Sequence, residues 1–409
     1  MSITVRPIEE SEWPAFAAVD YEAFNSTYPR EIADRWREVM ELDRLLSAFD
    51  GGLMVGCAAA LSFEMTVPGG PIPVAGVTSV GVLPSHRRRG VLTALMTRQL
   101  HDLHENGGEA VAALYASEAG IYGRFGYGRA ADTLSFRIPT HGSAFTRSAP
   151  ADPALRLRVV APADALPALQ RVYDAVRPGR PGMYARTDEL WRNEVIPDTD
   201  HDRGGMGPLR CIVAEDATGV RGYALFRAKS DWNEHSVPEG EVRLLELMAT
   251  DPAAYALVWR GVLDRDLCSV VHAGRRPVDD PIMHLLADPR RLNAIWFDDL
   301  WIRLVDVDRA LAARAYAAPA DLVLEIVDET CPWNAGRVRL VTDKGSCEPT
   351  DAPADLTLPV DVLGAAYLGG RTLRAAADAG LVREHRPGAL RELSAAMMWD
   401  PTPWGCRVF

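Results

Sequence analysis

The sequence predicts an α/β (α+β) chain of three domains: two mixed units built alike, then an α+β unit of another kind. Three observations carry this. The stretches that open at Ile3 and at Leu155 run through the same order of apolar patterns. Beyond residue 320 the pattern changes to short alternating strands. Two linker-like stretches, one rich in Pro, Ser, Thr and Ala at 139–153 and one around Arg275–Pro281, separate the blocks. The expected partition is 1–147, 148–295 and 296–409, each of ordinary domain size.

The first unit opens with the short strand Ile3-Thr4-Val5. A helical pattern follows through Trp13, Phe16, Ala17, Val19 and Phe24, with Trp36 in a second helix and a hairpin beginning at Leu53–Ala58. The second unit repeats the order: a strand at Leu155–Val160, a helical pattern through Leu166, Leu169, Val172 and Tyr173, Trp191 in a second helix, and a hairpin at Val220–Leu225. A repeat of whole-domain length is a duplication; solenoid repeats are roughly 20–50 residues. In the third block, Asp321–Val327, Arg337–Val341 and Asp355–Val360 read as strands. Asp361 is expected to cap a helix through Val362, Leu363, Ala366 and Leu368 that stops at Gly369-Gly370.

Composition narrows the function. Lys+Arg total 44 against 56 Asp+Glu, a net charge of −12. That balance opposes nucleic-acid binding, which needs a basic surface to displace counterions, and suits cationic partners. No apolar run of about 18 residues exists, so no membrane span is expected. The N-terminus lacks a signal peptide's basic start and apolar core. The six cysteines (Cys57, Cys211, Cys268, Cys331, Cys347, Cys406) are scattered, so a reduced, cytoplasmic protein is expected. His101 and His104 lack a third ligand, and no metal is expected.

The chemistry is concentrated in Val77–Tyr127. A strand at Val77–Val82 contains Gly81, a hint of a bulge or of close approach by a ligand. The basic turn His86-Arg87-Arg88-Arg89-Gly90 follows, then a helix with Leu92, Leu95, Met96, Leu100 and Leu103 at spacings of three and four, stopped by Asn106-Gly107-Gly108. A second strand, Ala110–Tyr115, comes next. Strand, arginine-glycine turn and helix start form a phosphate site, because first-turn N–H groups point outward, the helix dipole favours anions, and arginines add charge-assisted bonds. A solvated basic turn is the plainer alternative.

Arg87-Arg88-Arg89-Gly90-Val91-Leu92 resembles the Q/R-x-x-G-x-G/A pyrophosphate loop of GCN5-related N-acetyltransferases (GNAT), with Leu92 departing from the usual Gly/Ala. Ser117–Tyr127 is similar to that family's segment ending F-Y-x-x-x-G-F. With the duplicated unit and the third block, essentially the whole chain resembles the mycobacterial enhanced intracellular survival (Eis) family. The resemblance implies tandem acetyltransferase domains, the second degenerate, followed by a sterol-carrier-protein-like α+β domain. It also implies acetyl-CoA as co-substrate, small-molecule amine acceptors that include aminoglycosides, and hexamers.

Carried over residue by residue, the resemblance implies that Val80, Gly81, Val82, Arg87, Arg88, Arg89, Gly90, Val91, Leu92, Thr93, Ser117 and Glu118 hold the cofactor, with Ser117 also capping the next helix. Tyr122 would be the general acid that protonates the leaving thiolate, and the C-terminal carboxylate of Phe409 the general base. A backbone N–H near Val82 suits the developing oxyanion, and Tyr127 is expected to pack in the core. The substrate positions would be Ser26, Trp36, Asp299 and Val408. Acidic residues stand at 26 and 408 in members that acetylate aminoglycosides, so weaker or narrower aminoglycoside activity is expected here. Asp20 and Glu22 are expected at the surface, where most carboxylates lie. After the matching strand Leu244–Ala249 the second unit has Thr250-Asp251-Pro252 with no arginine-glycine turn. Asp251 would repel a pyrophosphate. The competing reading is a non-catalytic lipid-binding or assembly protein with a vestigial acetyltransferase unit.

Overall fold

The computed structural model describes residues 3–409. They form two compact units. One holds the residues through Ala131 together with Asp299–Pro403 and Val408–Phe409; the other holds Asp132–Asp298 and Trp404–Arg407.

The first unit is built on a seven-stranded sheet. Its strands β1 (Ile3–Pro7), β2 (Leu45–Asp50), β3 (Leu53–Val67), β4 (Gly70–Val82) and β5 (Val111–Tyr115) neighbour one another in that order. Leu300–Leu304 pairs antiparallel with β5, and Gly128–Arg129 completes the edge. The near-continuous apolar runs of β2 and β3 are buried because helices cover both faces. Helix α1 (Trp13–Ala23) and helix α3 (Val91–Asn106) lie on opposite faces: a Cβ on Gly81 of β4 would point at Ala23, and one on Gly56, beside Gly81's partner Cys57, would point at Val91 and Leu95. Helix α2 (Arg30–Val39) carries Trp36.

The same unit contains a five-stranded sheet in the order Ser346–Pro349, Gly336–Val341, Asp321–Val327, Leu356–Pro359 and Arg383–Glu384. The strands expected in the third block are present. The helix after them spans Val360–Ala366 with Pro359 at its N-cap, so Asp361 lies in its first turn and does not cap it. Against Leu300–Leu304 the contact is backbone to backbone, since a Cβ on Gly364 would lie 2.5 Å from the Ile302 carbonyl. Beneath it Arg303 and Asp328, both essentially inaccessible, form a two-pronged ion pair at 2.7 and 2.9 Å. Asp328 also accepts from the Cys331 amide (3.0 Å) and the Asn334 side chain (2.9 Å), so the buried charge is fully engaged.

The second unit has its own seven-stranded sheet, in the order Ile295–Asp298, Asp132–Pro139, Cys268–Pro277, Gly240–Ala249, Gly219–Lys229, Arg210–Asp216 and Arg156–Val160. Its core is packed around Trp259 and Trp191. Inside it Arg186 pairs with Glu246 at 2.6 Å, and Tyr223 donates to the same carboxylate at 2.5 Å. This core grips Trp404–Arg407. The Trp404 amide donates to Pro181 (2.8 Å), its indole N–H to Arg275 (2.7 Å), and Cys406 lies against the Tyr173 hydroxyl (3.6 Å). Among the described residues, no helix is long and apolar enough to cross a membrane.

Candidate active site

The site begins with an irregularity in β4. Its pairing with β3 runs from Gly70 to Thr78 (opposite Ala59), then resumes at Gly81 (opposite Cys57), leaving Ser79 and Val80 against a single residue. Ser79 takes φ +50°, the left-handed conformation. This is a β-bulge, as Gly81 hinted, and bulges re-aim side chains. Thr78 and Ser79, neighbours in sequence, therefore both face the α1 side. Past Gly76, just ahead of the bulge, β4 leaves β5 altogether. The two pair only at Ala75 opposite Ala112 and Gly76 opposite Ala113, although β4 runs on to Val82 and β5 to Tyr115. The strands fork, and the ladder edge of Val80–Val82 is left to a ligand.

The turn into α3 closes the other side. Arg88 (φ +62°) and Gly90 (φ +80°) both take the left-handed conformation, and Gly90 caps the helix, its carbonyl accepting from the Ala94 amide at 2.9 Å. Gly90 meets that φ without the Cβ penalty that Arg88 carries. The amides of Val91, Leu92 and Thr93 have no carbonyl to bond within the helix and point out of its N-terminus. Val91 itself is buried (1% exposed) and anchors the turn, while Arg87, Arg88 and Arg89 stay exposed.

Fork and turn enclose a cavity of about 660 Å³. Its walls include Val80, Gly81, Val82, Arg87, Arg88, Gly90, Val91, Leu92, Thr93, Ser117, Glu118 and Tyr122. Of the residues expected to hold the cofactor, Arg89 alone is outside this lining. Ala23, Phe24, Asn25, His86, Ile121 and Arg124 also line it. Helix dipole, outward amides and arginines suit a pyrophosphate at one end; the strand edge suits an amide-containing arm at the other.

Tyr122 ends the short helix Ala119–Tyr122 and is 7% exposed. Burial, with Glu118 nearby, pushes its hydroxyl up to about 12, so it stays protonated across the neutral range. Its ring meets Tyr127 edge-on at 6.0 Å. Tyr127 is wholly buried, as expected of a packing residue. Ser117 does not cap this helix: Glu118 is at the N-cap, with no side-chain bond, because the chain turns one residue later than the pattern suggested.

Phe409, the final residue, lies at the fork. It is 6% exposed; its ring sits 4.8 Å from that of Phe63 and 5.0 Å from that of Tyr115, and its terminal oxygen accepts from Thr78 Oγ1 at 3.1 Å. The expected substrate positions are dispersed. Ser26 follows α1, and its amide (2.9 Å) and hydroxyl (3.3 Å) both return to the Tyr21 carbonyl. Trp36 is half-buried on α2, Val408 is exposed, and Asp299 is 2% exposed with its amide on the Ala131 carbonyl (3.1 Å). None of the four lines the cavity.

Residues 4–130 match the acetyltransferase (GNAT) domain, residues 182–304 match a second family of the same description, and residues 307–405 match the sterol carrier protein domain. The chain is 33% identical to the N-acetyltransferase Eis of Mycobacterium tuberculosis, with 98% of each covered. It is 45% identical to an uncharacterized N-acetyltransferase of Streptomyces avermitilis over 99% of each. The crystal structure of Eis1 from Mycobacterium abscessus superposes with a TM-score of 0.85 at 35% identity, covering 99% of this chain and 100% of that one. The chain belongs to the Eis family of N-acetyltransferases. It has that family's tandem GNAT domains and sterol-carrier-like domain.

In this Eis-family chain the second GNAT domain is closed to phosphate by its own side chain. Helix Pro252–Leu263 starts where a pyrophosphate would bind, but the Asp251 carboxylate accepts from the Ala253 and Ala254 amides at 3.0 Å each. Arg221 holds that carboxylate at 2.9 Å. The anion site is filled internally, a stronger obstacle than repulsion alone.

One acid departs from expectation. Asp20 is not a surface residue. It lies one turn before the cavity-lining end of α1 and is half-buried, with Oδ1 inaccessible and its carboxylate bonded to Ser79. Burial, opposed by the Ser79 bond, pushes it up to about 6. Sequence pattern missed it because Gly81 hints at a bulge but says nothing of which way Ser79 turns. His101 and His104 pack on the Trp333 ring, and His104 pairs with Asp306 at 2.5 Å. Among the described residues no group of three or more His, Cys, Asp or Glu could hold a metal ion.

Proposed function

We propose that the first domain transfers an acetyl group from acetyl-CoA to a primary amine, with Tyr122 as general acid and the Phe409 carboxylate as general base. The observation that carries this reading is the cavity at the β4–β5 fork, whose walls include the strand edge, the arginine-glycine turn and Tyr122. Acetyl-CoA supplies the acetyl group as a thioester. Val80–Val82 would bond the pantetheine arm along the strand edge, and Arg87–Thr93, with Arg89 flanking, would hold the pyrophosphate. Tyr122 keeps its proton at neutral pH and can give it to the departing thiolate. An α-carboxylate ordinarily titrates at about 3.3–3.7, so at the fork it would take the proton as the attacking nitrogen becomes acidic, directly or through a water.

Aminoglycosides are among the acceptors proposed, over a narrower range than in members with acids at 26 and 408. Ser26 is neutral and bonded to Tyr21, and position 408 is valine. Hexamers in the cytoplasm complete the proposal, and light scattering on the purified chain tests the assembly. The sterol-carrier-like domain favours a second reading, a lipid-binding or assembly protein with a vestigial first domain. Calorimetry with acetyl-CoA and a thiol-release assay over a panel of amines separates the two. Acetyl-CoA binding with turnover supports the enzyme; lipid binding without acetyl-CoA binding supports the alternative.

A further inference from the structure

The second unit has a fork of its own, and the tail of the chain is held there. Gly240–Ala249 runs parallel to Cys268–Pro277 and pairs with it only as far as Leu244 opposite Ala273. Leu245 is a bulge, left out between the pairs Leu244–Phe226 and Glu246–Leu225. Both features copy those of β4. The sheet face that carries helix Pro162–Val176, the copy of α1, holds Trp404 and Cys406 in its core. The Arg275 carbonyl, past the last parallel pair, accepts from the Trp404 indole N–H at 2.7 Å. The place that receives Phe409 in the first unit thus receives Trp404 in the second, whose phosphate side is already filled by Asp251.

The hold is close and polar. Gly182 takes φ +93°, and a Cβ on it would lie 2.9 Å from the Trp404 carbonyl oxygen and 3.2 Å from the Trp404 nitrogen, so only glycine admits the tail here. The Trp404 amide donates to Pro181 at 2.8 Å. Arg186 binds Glu246 through both arms (2.6 and 3.1 Å), lies over the rings of Tyr173 (4.0 Å) and Trp191 (4.9 Å), and donates to Cys406 Sγ at 3.4 Å. A buried ion pair adds little net stability over an apolar replacement; this one orients a guanidinium against the tail. Arg407 donates to the Glu194 carbonyl, and its own carbonyl accepts from the Tyr184 hydroxyl at 3.5 Å. Phe409 follows two residues later, a reach of about 7 Å at most.

We propose that the second GNAT domain is the positioning element for the general base of the first. Gly182, Arg186, Glu246 and Trp404 are its positioning residues. They fix the tail as far as Arg407 and so set where the Phe409 carboxylate meets the acceptor amine. A chain end is ordinarily frayed and spends little time at one point, while a misplacement of about 1 Å can cost about 10²-fold in rate. A short tether moored in a packed core removes that freedom. The inference rests on the acetyltransferase reading and on Phe409 as its base.

The test is a double-mutant cycle on the full-length chain, followed as thiol release from acetyl-CoA with the fastest amine of the panel. Gly182→Ala pushes on the Trp404 backbone. It should lower kcat about 10- to 100-fold, with acetyl-CoA affinity unchanged by calorimetry. Gly205→Ala imposes a similar left-handed strain (φ +79°) with nothing within 4 Å of the new Cβ, and should keep kcat within about twofold. In a chain whose Phe409 ends in a carboxamide, Gly182→Ala should cost less than about twofold, because its effect passes through the carboxylate. Trp404→Phe keeps a ring but loses the bond to Arg275. It should cost less than Gly182→Ala, again only in the carboxylate chain, and it carries the comparison if Gly182→Ala fails to fold. An unchanged kcat in both variants overturns the inference. So does a loss equal to that of Gly205→Ala, or one as large in the carboxamide chain as in the carboxylate chain. A carboxamide chain with the wild-type rate overturns the base role instead, and no turnover of any amine by the wild type overturns the acetyltransferase reading.

Discussion

Converting the terminal carboxylate of Phe409 to a carboxamide, by ligation of a synthetic C-terminal peptide, removes one charge and little else. The ring stays between Phe63 and Tyr115, at 4.8 and 5.0 Å, and the remaining carbonyl can still accept from Thr78. Deleting Phe409 is a cruder change, because emptying a pocket that leaves a phenylalanine 6% exposed costs about 3–5 kcal/mol. The amide avoids that cost, so its Tm should match the wild type. A general base contributes about 10²- to 10⁴-fold to rate, which is about 2.7–5.4 kcal/mol at 1.36 kcal/mol per decade. The amide should therefore lose about that factor in kcat, followed as thiol release from acetyl-CoA, with acetyl-CoA affinity retained. Appending one glycine moves the carboxylate by about 3.3–3.6 Å and should cost a similar factor. An amidated chain within threefold of the wild-type rate refutes the role given to the terminus.

Tyr122→Phe keeps the edge-on packing against Tyr127 and should lower kcat about 10²- to 10⁴-fold with acetyl-CoA binding intact by calorimetry. Since burial and Glu118 hold the Tyr122 hydroxyl near 12, the wild-type pH–rate profile should show no fall between pH 8 and 10 from loss of its proton. Arg303→Leu leaves the Asp328 carboxylate inaccessible and without its cation, and should destabilise the first unit by about 3–5 kcal/mol in denaturant titration. Asp251→Ala removes a helix cap with two amide bonds and should cost about 1–2 kcal/mol in thermal unfolding of the second unit, without creating acetyl-CoA binding there.

What sequence could convey was local. The strand, turn and helix from Val77 to Asn106 were legible because apolar spacing marks strand and helix, and Gly90 and the arginines mark the turn. The duplication was legible because both copies repeat one order of patterns. Four things were not. Leu300–Leu304 pairs with β5, about 190 residues earlier in the chain, while Asp132–Pro139 pairs with Cys268–Pro277. Either strand would pattern alike in either sheet, since alternation reports burial and not partner. The bulge at Ser79 was hinted by Gly81, but the turning of Ser79 toward α1 was not, so nothing opposed the general expectation that the Asp20 carboxylate lies in solvent. Ser117 was expected at a cap that Glu118 occupies, an offset of one residue that boundary signals do not resolve. The placement of Phe409 at the fork came from resemblance, because a chain end carries no pattern of its own and is usually frayed.

The bond between Thr78 and Phe409 spans 331 residues. A protein is made from its N-terminus, so the domain that emerges first waits longest for its last piece. Until synthesis has passed residue 304 the first sheet lacks Leu300–Leu304 along β5, and until it has reached Phe409 the gap between Phe63 and Tyr115 has no ring to fill it. The packing of the first unit is thereby closed by the residues made last, the strand Leu300–Leu304 and the ring of Phe409.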